Sequence, residues 1–297
     1  MNRKKEKFEN IMSYLFYPIL LFTTVIISSF AIINNLELGD IYGFYLIGLI
    51  IILIFTEQFH PLKTKWRINR KLLFRRDIPY MILGGVTLGL ANFIVGYFLI
   101  LVSAGNNNPL WNAPIIVDFI FALLIIDFCW YWYHRWCHEN KSKIGNFLWK
   151  VHVAHHLPKQ VYVLMHAVSH PINTLIARGI MTIPLFFLGF SVEVIFLVNI
   201  FMNLQTMVSH YNVNIRAGYL NYFVIGSELH RYHHSTNPKE SKNYGSILTI
   251  WDHIFGTFYY KPGKLPDKLG VHNPELYPNE KNLLKIITLP FTKVNEQ

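Results

Sequence analysis

The chain has 297 residues, 52% hydrophobic and only 15% charged. Soluble domains carry roughly 25% charged residues, so the balance excludes an ordinary soluble globule and points into lipid. The net charge of +10 is no sign of nucleic-acid binding, because the Lys and Arg residues gather in short segments between apolar runs. That is how a membrane protein marks its cytosolic side.

Arg3, Lys4, Lys5 and Lys7 precede a first apolar run, near residues 11–34. The run is too long for a signal peptide and lacks a small-residue cleavage site, so no cleaved leader is expected. After Glu37 and Asp40, a second run covers 42–59, followed by a strongly basic loop from Lys63 to Arg76. The third run, 78–104, contains Gly84, Gly85, Gly89 and Gly96, spacings that predict close helix packing in lipid. Residues 105–112 read as an uncharged turn. A fourth run begins near Ala113 and ends in Trp130, Tyr131, Trp132 and Tyr133, an aromatic belt for the headgroup level or the lining of a lipid tunnel. Residues 139–171 are polar and basic. Runs at 172–190 and 192–209 are joined at Gly189–Ser191 and fit either two crossings or one hairpin. The tail includes Leu283–Leu289, a candidate amphipathic helix. Several of these runs reach the roughly 18–20 residues that a bilayer core requires. Cys129 and Cys137 cannot build a disulfide framework and read as packing residues.

An N-terminus in the cytosol puts the loops near 35–41, 105–112 and 189–191 outside, without a Lys or Arg among them. Every Lys and Arg of the chain then lies inside, with the single exception of Arg178.

The histidines carry the chemistry. His134 and His138 stand at i and i+4, and His152, His155 and His156 at i, i+3 and i+4. His230, His233 and His234 repeat the second spacing. On a helix each cluster shares one face, close enough to grip a metal. A lone histidine is more often a satisfied core or surface residue, the reading given to His60 and His272; eight in three clusters are a metal site. All three clusters fall on the inner side, just beyond the fourth run. Imidazole suits zinc, copper, iron and nickel alike, but a catalytic zinc usually takes three ligands, so this number is enough for two metals. No His-Glu-x-x-His motif supports a zinc protease.

The chain resembles the fatty acid hydroxylase/sterol desaturase superfamily of membrane di-iron enzymes, over about residues 110–260. The first motif appears as Asp127, Trp130, Tyr131, Trp132, His134, Arg135 and His138. The second is Leu148, Trp149, His152, His155 and His156, followed by the pair His170-Pro171 and by His210 with Asn212. The third is His230, Arg231, His233 and His234, continuing through Asn243-Tyr244-Gly245 to Trp251, Asp252, Phe255, Gly256 and Thr257. His253 stands where arginine is common and is not counted as a ligand; His166 has no counterpart. The resemblance implies that His134, His138, His152, His155, His156, His210, His230, His233 and His234 are ligands of two iron ions, with His170 as a tenth. Asp127, Glu139 and Asn212 are the candidate catalytic residues. Asp127 shares the helical face of His134 and His138, suited to accept a ligand N–H; Glu139 and Asp252 would orient ligands or take a proton.

The expectation is therefore an all-α, polytopic membrane protein with four to six membrane helices and a cytosolic histidine-rich cap. It divides into N-terminal membrane helices (1–112), a catalytic region (113–260) and a cytosolic tail (261–297). Its function is O2-dependent hydroxylation of a sterol, fatty acyl or related lipid, the head in the cap and the tail among aromatic residues. A lipid desaturase on the same iron site is the alternative, and a non-enzymatic metal-binding or transport protein a further one. No flavin, NAD or haem segment is recognisable, so electrons would come from a separate redox protein or a diffusible reductant. The membrane would be a bacterial inner membrane or, in a eukaryote, the endoplasmic reticulum.

Overall fold

A computed structural model describes residues 3–102 and 113–292. The uncharged turn expected at 105–112 lies outside the described residues.

The long apolar runs become helices because they hold 18 or more residues in which backbone groups can be satisfied only within the segment. Helix α1 (Arg3–Ile33) and α2 (Leu38–Phe59) are joined by a tight turn in which Asn35 takes a positive φ of 48°. The basic loop carries a short α3 (Arg70–Leu72), capped by the Asn69 side chain, and a π-turn (Leu73–Asp77) that runs into α4 (Ile78–Val102). Helix α5 (Ile115–Glu139) bears the first histidine motif and α6 (Lys143–His156) the second. Ser142 caps α6 by accepting from the Gly145 N–H, and Gly145 is obligatory there, since a Cβ would stand 1.9 Å from the Asn140 carbonyl. Helices α7 (Pro171–Phe187) and α8 (Val192–Ser209) form the hairpin at 188–191; Pro171 opens the first and Ser191 caps the second. Short helices α9 (Ser227–His233), α10 (Ile250–Ile254) and α11 (Leu283–Thr288) complete the cap. Among the described residues there is no strand, only isolated bridges.

Among the described residues, five helices are long and apolar enough to cross a membrane, α8 among them, while α7 is shorter. Their outer faces carry bare apolar side chains such as Phe44 (74% exposed) and Phe93 (71%), a surface that suits lipid and not water. Helix α8 is the hub, packing on α1, α2 and α5, while α4 packs on α7. Gly84, Gly85, Gly89 and Gly96 do not serve close packing: a Cβ on any of them would meet nothing within 4 Å. Gly84 and Gly85 instead line a cavity between the helices.

The segment after Lys261 is built into the cap. The Lys150 ammonium donates to the Thr292 carbonyl at 2.8 Å and Trp149 Nε1 to the Tyr277 hydroxyl at 2.7 Å. The Arg76 guanidinium, fully buried, is satisfied by Asp77 and Glu280, each at 2.8 Å, and by Tyr162.

Candidate metal centre

Helix periodicity sorts the motif histidines into two groups. His134, His138, His152, His156 and His233 form the first, and His155, His210, His230 and His234 the second. Within each group one ring nitrogen per residue lies within 4.8 Å of all the others. Adjacent residues turn about 100° apart on a helix, so His155 and His156 part company, as do His233 and His234. The groups abut: the rings of His156 and His234 are 4.5 Å apart.

The outward-facing nitrogens reveal what the inward-facing ones carry. Nδ1 of His134 lies 2.8 Å from the Tyr244 carbonyl and Nδ1 of His233 2.9 Å from that of Lys242. In the second group, Nδ1 of His155 meets the Val168 carbonyl at 3.1 Å and Nδ1 of His210 the Thr206 carbonyl at 2.9 Å. A carbonyl only accepts, so each Nδ1 holds the proton and each Nε2 presents a lone pair. Those lone pairs face one another. Nε2 to Nε2 separations are 3.0 Å for His134–His152, 3.1 Å for His156–His233, 2.9 Å for His155–His210 and 2.9 Å for His210–His230. Burial, reinforced by neighbouring imidazoles, holds His155, His156, His210, His230 and His234 well below the ordinary histidine pKa, so they stay neutral. Converging neutral lone pairs repel unless a cation sits among them. The donor sets therefore fit two metal ions, and nitrogen-only ligands favour a transition metal over magnesium or calcium.

The other expected residues lie elsewhere. His170 is outside both groups: its Nδ1 accepts from the Ile172 N–H at 3.1 Å, capping α7, and its Nε2 meets the Ile287 carbonyl at 3.0 Å. With both nitrogens engaged it is a structural cap. Asp127 does not touch a ligand imidazole. It accepts the backbone N–H groups of Ser246, Ile247 and Leu248, at 2.9, 2.8 and 3.2 Å. Asn212 clamps the basic loop, accepting from the Lys63 N–H and donating to the Lys63 carbonyl, both at 3.1 Å. Glu139 bridges Arg135 and Lys242 and accepts from the Tyr244 hydroxyl at 3.1 Å. None of the three faces the space between the imidazoles. The carboxylate of Asp252 accepts from the N–H groups of Tyr244 (2.7 Å) and Gly245 (2.9 Å) and from the Thr257 hydroxyl (2.6 Å).

Three residues were given no role by the sequence reading. Asn173 receives the Tyr133 hydroxyl at 2.6 Å on the same oxygen that lies 3.3 Å from His152 Nδ1. Its position two residues after the His-Pro pair is the signal from which it could have been found. Glu57, fully buried, accepts the N–H groups of Val163 (2.9 Å) and Asn212 (2.7 Å), joining the loops that follow the second cluster and His210. His166, pushed down to about 4 by burial, lies with its ring 5.2 Å from that of His210.

A cavity of about 800 Å³ opens from the imidazoles into the membrane helices. His134, His152, His155, His210 and His230 form its floor, and α2, α4, α7 and α8 its walls. Of the aromatic run, only Trp130 reaches it. Tyr131 is held by Thr257, Tyr133 by Asn173, and Trp132 packs on Phe255.

The family profile described as fatty acid hydroxylase matches residues 119–257. An ornithine lipid hydroxylase of Rhizobium tropici is 29% identical over 88% of this chain and 79% of its own length. The human alkylglycerol monooxygenase is 33% identical over 51% of this chain, which spans only 32% of that protein. A very-long-chain aldehyde decarbonylase of Oryza sativa is 25% identical over 61% of this chain and 70% of its own length. No solved structure gives a significant match. The region that matches the fatty acid hydroxylase profile is the one that supplies every imidazole of both groups.

Proposed function

We propose that the chain is a membrane-bound di-iron oxidoreductase that hydroxylates a lipid C–H bond with dioxygen. One observation carries this: two groups of neutral imidazoles floor a cavity whose walls are long apolar helices. Among the relatives, a lipid hydroxylase and a monooxygenase act on lipids by name, which favours hydroxylation over desaturation. A transport role is disfavoured because the nitrogens converge beside the crossings, not along a path through them.

His134, His138, His152, His156 and His233 would hold one iron, and His155, His210, His230 and His234 the other. The pair, when bound, supplies dioxygen activation. One oxygen atom enters the C–H bond and the other leaves as water, with two electrons and two protons from an external donor. The protein's part is orientation and exclusion. Backbone carbonyls fix which nitrogen of each ligand faces inward, and Asp127 and Asp252 fix the loop that carries two of those carbonyls. The cavity walls keep the reacting carbon among apolar groups and away from water, which suppresses side reactions.

The charge count supports an active site on the cytosolic face, where the basic loop 63–76 suits an acidic electron-transfer protein. The test is isotopic. Membranes holding the protein, supplied with iron and a reductase, should give a lipid product carrying oxygen-18 from labelled gas. Label from water instead would mean hydrolysis, and an unsaturated product without added oxygen would mean desaturation.

A further inference from the structure

Arg178 is the one Lys or Arg that charge counting leaves outside the inner face. The fold places it on α7, in the wall of the cavity. Its Nε is buried without a hydrogen-bond partner, and among the described residues no carboxylate pairs with its guanidinium. An unpaired cation among membrane helices costs several kcal/mol and marks a functional position whose partner is to be named. Among the described residues no acidic side chain lines this cavity, which leaves the place of a counter-ion to a ligand.

The neighbours of Arg178 are donors. It interacts electrostatically with Tyr42, which also lines the cavity. The Tyr42 hydroxyl accepts from Asn203 Nδ2 at 2.5 Å, which leaves its own proton to give. Polar stripes then lead from this pair to the imidazoles. Thr174 and Asn173 continue the wall on α7, and Asn203 and Thr206 on α8, ending at His210. This stripe suits a polar head, while the rest of the wall, with Met81, Leu88, Ile195 and Phe196, stays apolar.

Helix rise sets the span. Asn173 touches the ligand His152, and Arg178 lies five residues further along α7, roughly 8 Å. Asn203 precedes His210 by seven residues on α8, roughly 10 Å.

We infer that the cavity binds an acidic amphiphile, its carboxylate or phosphate held by Arg178 and Tyr42. The carbon presented to the imidazoles then lies roughly 8–10 Å from that anion, near the head and not at the far end of a long chain. This assignment of substrate class rests on reading the imidazole groups as an oxidising metal pair. It also reverses the orientation expected from sequence: the anion sits on the membrane side of the metals, not in the cap.

The experiment measures binding and needs no turnover. Full-length, metal-loaded protein in phosphatidylcholine nanodiscs is equilibrated with palmitic acid, hexadecyl phosphate or hexadecanol, and retained ligand is counted after correction for partition into protein-free discs. The wild type should retain at least one of the two acids about ten-fold better than the alcohol, as charge-assisted hydrogen bonding to Arg predicts. Preference for palmitic acid identifies a carboxylate, and preference for hexadecyl phosphate a phosphate. Arg178→Gln should abolish the preference with metal content unchanged, and Arg178→Lys should keep part of it. Tyr42→Phe should weaken it and decides the matter if Arg178→Gln fails to fold. Equal retention of all three probes by the wild type, a preference that survives Arg178→Gln or, where that variant fails to fold, a preference undiminished in Tyr42→Phe, overturns the proposal. Acid binding without oxidised product would instead leave this site standing and count against the oxidase reading.

Discussion

The carbonyl of Tyr244 lies 2.8 Å from Nδ1 of His134, although 110 residues separate them. It is held there by two carboxylates that touch no ligand themselves. Asp252 accepts the N–H groups of Tyr244 and Gly245, and Asp127 those of Ser246, Ile247 and Leu248. Asn243, at a positive φ of 62°, turns the chain into this loop, and its side chain is locked by Leu229 and Tyr259. Gly245 has no room for a Cβ, which would stand 2.2 Å from the Leu248 carbonyl. The Asn-Tyr-Gly triplet is thus a device for aiming two carbonyls, those of Lys242 and Tyr244, at two imidazoles of the same group.

Removing one clamp should loosen one metal. Asp252→Ala should weaken metal binding by the first group roughly 10–100-fold, the usual effect of losing an orienting partner, and spare the second. Metal content titrated against a chelator would show one site shifted and one unmoved. Equal loss at both sites would mean that the loop supports the cap as a whole.

Neighbouring histidines should separate by metal. His233 belongs to the first group and His234 to the second, so either alanine variant should bind one metal in place of two. The double variant should bind none tightly. If His233→Ala and His234→Ala both lose the same metal, judged by spectroscopy of the remaining one, the partition is wrong.

Much of this was legible in the sequence. Helix spacing singled out every imidazole of both groups except His210, which the family resemblance added, and the apolar runs set out the membrane helices. What sequence could not give was the partition of the ligands and the carbonyls that orient them, because both depend on where loops return in space. Asp127 illustrates the limit. Its helical face matches that of His134 and His138, yet the partners that reach it are backbone amides of a loop 119 and more residues away. His170 has the opposite history: the His-Pro pair looks like a ligand motif and is a helix start, with Pro171 filling the first position and the imidazole serving as the cap.

Acid should destabilise the fold. Burial holds His155, His156, His230 and His234 well below the ordinary histidine value of about 6.5 in the folded chain. Below that value an unfolded chain takes up protons that the folded one does not, so stability rises with pH across the window and falls on acidification. The melting temperature of the metal-free protein should be level above about pH 7 and drop steadily toward about pH 5. A melting temperature unchanged over that range would mean that these imidazoles are not buried as neutral groups.

The cavity wall offers the sharpest separation of metal from substrate. Gly84 and Gly85 line the cavity, and a Cβ added at either position would meet no protein atom within 4 Å. Leucine there projects into the space assigned to the lipid. It also improves the helix, since glycine is about 1 kcal/mol less favourable than good helix formers in a helix interior. Gly84→Leu and Gly85→Leu should therefore fold, carry the full metal complement and lose at least about ten-fold in lipid oxidation, an effect of steric exclusion. Gly89→Leu is the control: its surroundings are equally open, but it does not line the cavity, and its activity should match the wild type. Full activity in Gly84→Leu and Gly85→Leu would show that the lipid reaches the imidazoles by another route. Loss of activity in all three would trace the effect to α4 as a whole, not to the space beside its glycines.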